Sequence, residues 1–124
     1  MAHQYHWEEK GLLRTYIDKI SGGEIFDLNL KLHGDMRFDD LEYVINDFTA
    51  VTDFYVTEED IMKIAIVDNV ASMSKPVLKI AIVATLEPLL DWINKYLSVM
   101  QDSPYQCQVF ASLEEARQWV KPTE

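Results

Sequence analysis

The sequence predicts an α/β domain: a mixed sheet of four to five strands, begun by an antiparallel hairpin and continued by parallel strands, with about four helices. Three observations predict it. Val77 to Ala84 is almost unbroken apolar sequence, as expected for a strand covered on both faces. From Leu41 to Trp119, three strand-like runs are each followed by helical spacing, which calls for right-handed crossovers and parallel neighbours. No composition break, charge block or Gly/Pro/Ser-rich linker interrupts the 124 residues, so residues 1–124 are expected to form one domain.

Each element follows from local chemistry. Tyr5 to Glu9 and Leu12 to Asp18 are two extended runs rich in Tyr, Trp, Ile and Leu around Lys10-Gly11, and they predict a hairpin. Ser21-Gly22-Gly23 breaks that pattern. Ile25, Phe26, Leu28, Leu30 and Leu32 then favour a helix ending near Gly34. Leu41 to Phe48 predicts a strand with Leu41, Tyr43 and Ile45 on one face and Val44 on the other, closing at Asp47. Thr57 precedes Glu58, Glu59 and Asp60, a cap followed by carboxylates at the positive end, and predicts a helix from Glu58 to about Met73. Pro76 stops it, and the apolar run Val77 to Ala84 is the expected central strand. Leu86, Leu89, Leu90, Ile93, Leu97 and Met100 recur at helical spacing, with Thr85 as the expected cap and Pro88 inside the tolerant first turn. Tyr105 to Ala111 reads as the last strand. Ser112 and Glu115 form a capping box for a final helix, which Lys121-Pro122 ends.

Composition removes several classes of function. Apolar residues make up 48% and charged residues 26%, proportions of a chain that folds around one core. Eleven basic against twenty-one acidic side chains leave a formal charge of −10, the wrong sign for nucleic acid or anionic lipid. The single cysteine, Cys107, excludes an intramolecular disulfide and a cysteine-rich zinc site and fits a reducing compartment. With no apolar run of membrane-spanning length and a polar start from Met1 to His6, no membrane insertion and a cytoplasmic location are expected.

The residues that could carry chemistry are few. The strand ends and helix starts bring Asp47, Thr49, Asp53 and Thr57, then Thr85 and Glu87, then Ser112 and Glu114, to the edge where an open α/β sheet binds ligands. Without a Gly-rich loop, and with so many carboxylates, capping accounts for the hydroxyls better than an anion site does. His3 and His6, three apart on an extended segment, point to opposite faces, and His33 stands alone; no metal site is expected. No serine carries an activating signature and Cys107 falls inside a strand, so neither catalysis nor a cofactor is expected. An enzyme built on Asp47 and Asp53 is the third-ranked reading, since fold does not exclude function.

One helix carries more apolar surface than a sheet needs. On Glu58–Met73, Ile61, Ile64, Ala65 and Ala71 form one stripe, while Met62, Ile66, Val70 and Met73 form a second on the opposite side. That second stripe either packs on the following helix or is a homodimer or partner face. A separate group, Phe26, Leu30, Phe48, Phe54, Tyr55 and Trp92, could line a pocket for a small apolar ligand or could equally be plain core.

The order of these landmarks resembles the SpoIIAA-like group of the STAS superfamily over about Trp7 to Trp119. The matching pieces are Trp7 with Gly11-Leu12, Val44-Ile45-Asn46-Asp47, the helix with Ile64-Ala65 and Asp68, Leu78-Lys79-Ile80-Ala81-Ile82-Val83, and Val109-Phe110 with Ala116 and Trp119. The resemblance implies a small non-enzymatic regulatory or protein-interaction domain, with a protein partner or a homodimer. Relatives grouped with SEC14-type lipid carriers imply the alternative, a domain that binds or carries an apolar, lipid-like ligand. In the anti-sigma antagonists a kinase modifies a serine in an Asp-Ser-Ser-Gly run after the Asp-bearing strand. Counting from Asp47, the similar position here is Thr57, but Tyr55-Val56-Thr57-Glu58 replaces the run, so Asp47 and Thr57 are regulatory candidates without the motif.

Overall fold

The structure, a computed structural model, describes residues 2–121, with the backbone alone for residue 2. Its elements are β1 (Ala2–Trp7), β2 (Gly11–Ser21), α1 (Gly22–His33), a 3₁₀ turn (Met36–Asp40), β3 (Tyr43–Tyr55), α2 (Glu58–Ser74), β4 (Lys79–Val83), α3 (Glu87–Val99), a second 3₁₀ turn (Met100–Asp102), β5 (Gln106–Phe110) and α4 (Leu113–Val120). The five strands lie in chain order, β1 antiparallel to β2 and every other neighbour parallel. Right-handed crossovers between sequential strands force α1, α2 and α3 onto one face of the sheet. α4 covers the opposite face, where Ala116 and Val120 pack on Tyr43, Ile45, Ala81 and Val83.

The inner face is built by the two-residue period of the strands. Leu12, Arg14 and Tyr16 of β2 and Val44, Asn46 and Phe48 of β3 all point toward α1–α3. The Tyr16 and Phe48 rings stack with centroids 4.7 Å apart. Ser21, Thr57 and Ser112 cap their helices locally, accepting from the amides of Glu24, Asp60 and Glu115; the caps at Thr57 and Ser112 are the expected ones, and Ser21 was not anticipated. On β2, Gly11 permits a close approach that no side chain allows, because its missing Cβ would overlap the Tyr43 ring. Among the described residues no helix is long and apolar enough to cross a membrane.

The structure differs from the expected elements at several points. The hairpin strands are Ala2–Trp7 and Gly11–Ser21 in place of Tyr5–Glu9 and Leu12–Asp18, and β4 is Lys79–Val83 in place of Val77–Ala84, with Val77 exposed. β3 does not close at Asp47 but runs on to Tyr55, and beyond Asp47 it pairs with β2 alone, from Ile17 opposite Ala50 to Ser21 opposite Tyr55. Its alternation fails there because Thr49, Thr52 and Asp53 are exposed and no helix covers them. The α3 cap is Leu86, with no side-chain bond to the helix, so Thr85 does not cap it. Met36–Asp40, which has no sequence signature beyond Asp35, forms a 3₁₀ turn with Asp35 capping the Arg37 amide. Pro122, the expected terminal stop, lies outside the described residues.

Candidate functional site

Two places on the α1–α3 side could support function: an apolar surface on α2 and a polar cluster beneath it. α2 begins with a reciprocal capping box, in which Asp60 N–H donates to Thr57 Oγ1 (3.1 Å) and Thr57 N–H donates to Asp60 Oδ2 (3.0 Å). Its buried stripe, Ile61, Ile64, Ala65, Asp68, Ala71 and Ser72, faces the core. The opposite stripe stays in solvent: Met62, Ile66, Val70 and Met73 are 39%, 57%, 58% and 82% exposed. Lys63, alongside, pairs with Glu59 one turn back, and Lys75 closes the far end of the helix.

The second place is a cavity of about 80 Å³ between β2–β4 and the three helices, walled mainly by apolar side chains such as Val44, Ile61, Ile64, Ile80, Ile82 and Ile93. One part of its wall is polar. Asp68, 4% exposed, accepts from Tyr96 Oη (2.6 Å) and Asn29 Nδ2 (3.1 Å) and stands 3.4 Å from His33 Nε2. Burial raises the Asp68 carboxyl to about 6, against the pull of Tyr96, Arg14 and Asn29 toward ionisation. Burial, with the Arg14 charge, lowers His33 to about 4; despite the nearby carboxylate the imidazole is neutral at pH 7. Across the wall, Arg14 Nε donates to Asn46 Oδ1 at 2.8 Å.

No model of a known protein family matches the sequence, and no curated protein is significantly similar to it. Solved structures are similar in fold. An uncharacterized protein of Shewanella loihica PV-4, described as having a SpoIIAA-like fold, shares 14% identity over 97% of this chain and 93% of its own, with a TM-score of 0.56. The anti-sigma factor antagonist SpoIIAA in its unphosphorylated form matches at a TM-score of 0.60, with 11% identity over 96% of this chain and 97% of its own. The Bacillus cell fate determinant SpoIIAA in its phosphorylated form also reaches 0.60, with 10% identity over 97% and 100%.

The chain has the SpoIIAA-like fold. On that fold Thr57 is exposed, and its hydroxyl serves the capping box, with Glu58, Glu59 and Asp60 beside it. Asp47 is buried at the end of the β3–β4 pairing, where Oδ1 accepts from Thr49 N (2.9 Å) and Thr49 Oγ1 (2.7 Å). Asp53 lies six residues further along the extended strand, about 20 Å away at the usual rise, so the two carboxylates do not converge. Of the six apolar pocket candidates, Phe48 and Trp92 line the cavity. Phe26 and Phe54 pack against the core from its edge, while Leu30 and Tyr55 are exposed.

Burial pushes the Cys107 thiol up to about 12, which suppresses the thiolate at neutral pH. Among the described residues no three His, Cys, Asp or Glu side chains gather as a metal site would require. The residues that sequence reading missed are Arg14, Asn29, Asn46 and Tyr96. The signal was present in the strand period: Arg14 falls between inward-facing Leu12 and Tyr16, and Asn46 between Val44 and Phe48.

Proposed function

We propose that the protein is a non-catalytic regulatory domain that works through protein contact, pairing with a second copy of itself across the outer stripe of α2. The observation that carries this reading is the exposure of Met62, Ile66, Val70 and Met73 along three turns of one helix. A contiguous apolar stripe in water is the usual mark of a contact surface. A two-fold axis across the stripe would run the two helices antiparallel and place the acidic first turn, Glu58, Glu59 and Asp60, beside Lys75 of the second copy. Support also comes from a fold neighbour that is named an anti-sigma factor antagonist, a protein whose target is another protein. Carriage of a lipid-like ligand has less support, because a cavity of about 80 Å³ is well below the roughly 300–1,000 Å³ typical of sites for larger ligands. Asp68, the carboxyl raised by burial, has both oxygens engaged by Tyr96, Asn29 and His33, which argues for structure rather than acid–base work.

Native mass spectrometry and sedimentation of the wild type and Ile66→Asp test the reading. The wild type is expected to be a dimer, and the variant a folded monomer whose thermal midpoint, unlike that of the wild type, does not depend on concentration. A wild type that stays monomeric at high concentration, or a variant that still dimerises, would overturn it.

A further inference from the structure

The guanidinium of Arg14 is the least explained group in the molecule. The residue is 3% exposed, in the middle of β2 on the core face. Of its five N–H donors, Nε serves Asn46, while Nη1 is buried with no hydrogen-bond partner among the described residues. The carboxylate in the same cavity does not meet it, since Asp68 is held by Tyr96 and Asn29 and faces His33. Tyr5 and Tyr16 flank the cation with ring centroids 6.0 and 5.9 Å from Cζ, and the Tyr5 hydroxyl and the field of Asp68 favour its charged form against burial, but neither gives Nη1 a hydrogen bond of normal length. A planar fork of donors buried in this way matches a carboxylate, which can accept two parallel N–H bonds.

Two more polar atoms are unpartnered on residues of the cavity wall: Asn29 Oδ1 and Tyr105 Oη. The remaining wall is aliphatic and aromatic. Half-buried Ile25, Val56 and Trp92 bring it toward the surface between α1, the start of α2 and α3. The volume sets the size of an occupant. Since a cavity of about 150 Å³ accepts benzene and a water takes about 30 Å³, 80 Å³ suits an acid of about two to four carbons and not a long acyl chain.

We infer that the cavity is a binding site for a short-chain monocarboxylate, its carboxylate on the Arg14 fork and its alkyl end among Val44, Ile64 and Ile80. This stands apart from the protein-contact reading, because it concerns the interior beneath α2 and not its outer face. A doubly charged inorganic anion would leave the aliphatic wall unmatched.

The test is a titration of the full chain with acetate, propionate, butyrate, octanoate and inorganic phosphate, followed by calorimetry and by the methyl resonances of Val44, Ile64 and Ile80. Saturable one-to-one binding is expected for propionate and butyrate, with octanoate and phosphate at least about tenfold weaker. Arg14→Met should weaken butyrate about ten- to a hundredfold, the loss of charge-assisted hydrogen bonds. If that variant does not fold, Val44→Phe keeps the cation and fills the cavity, and it should abolish binding equally. Linear, unsaturable shifts with every acid would overturn the inference. So would phosphate binding as tightly as butyrate, or a folded Val44→Phe that binds butyrate as the wild type does.

Discussion

The two faces of the sheet are built on opposite principles. Under α4 the contact is small and dry: Ala81 and Ala116 are fully buried, and Tyr43, Ile45, Val83 and Val120 close around them. Its polar contacts lie at the rim, where Arg117 donates to both oxygens of Glu8 (3.0 and 2.7 Å) and Tyr43 donates to the same carboxylate. The Arg117 hydrogen bonds hold Glu8 below the usual carboxylate range, against its partial burial. Under α1–α3 the order is reversed, with polar groups at the centre, apolar walls around them and space left over. One face spends its interior on close packing, and the other keeps charge and volume where packing alone would have removed both.

The sharpest break of this contrast is Asp68→Ala. It strands the Tyr96 hydroxyl and the Asn29 amide and removes the carboxylate whose field acts on buried Arg14, and should cost about 3–5 kcal/mol in denaturant unfolding.

Next in size is a pH effect carried by two groups of opposite sign. The folded Asp68 titrates near 6 against an ordinary 3.8, so its contribution to stability is full below 3.8 and lost as pH rises through about 6. The folded His33 titrates near 4 against 6.5, so its contribution is full above 6.5 and lost as pH falls through about 4. Between about pH 4 and 6.5 the two nearly cancel. Asp68→Asn should therefore gain stability relative to wild type as pH rises across that window, and His33→Gln should lose it, each by about 3 kcal/mol. Unfolding midpoints of the three proteins at pH 4.5 and 7 decide it; parallel pH profiles would refute the opposition.

Smaller still is a comparison of added volume. Ala116→Val enlarges a side chain with no space beside it and should cost about 1–3 kcal/mol, whereas Val44→Ile adds one methylene beside the cavity and should stay within about 1 kcal/mol. Equal losses in thermal melts would mean that the cavity closes in solution.

The legibility of the sequence follows the same division. The hairpin, α2 and α4 were readable because caps and alternation act within a few residues, as at Thr57 and Ser112. The fold was readable from the unbroken Val77–Ala84 run and the strand–helix steps. The two apolar stripes of α2 were readable from spacing, while the exposure of the outer one depends on where α3 lies, which is a tertiary fact. The polar cluster was overlooked because Arg14 and Asn46, although turned inward by the strand period, read as surface by residue type. Arg14, Asn29, Asn46 and Asp68 come from four different elements, and only the crossovers bring them to one wall. The far half of β3 was missed for the opposite reason: Thr49, Thr52 and Asp53 face water and carry no pattern of burial.

That far half gives one strand two lifetimes. From Tyr43 to Asp47, β3 lies between β2 and β4, beneath helices on both faces; from Ala50 to Tyr55 it is bonded along one side only. Amide protons in the first segment should exchange with solvent deuterium only when the whole domain unfolds, and those in the second through local fraying that leaves the rest intact. A single continuous strand would then report both the global stability of the domain and the independent opening of its two-stranded tip.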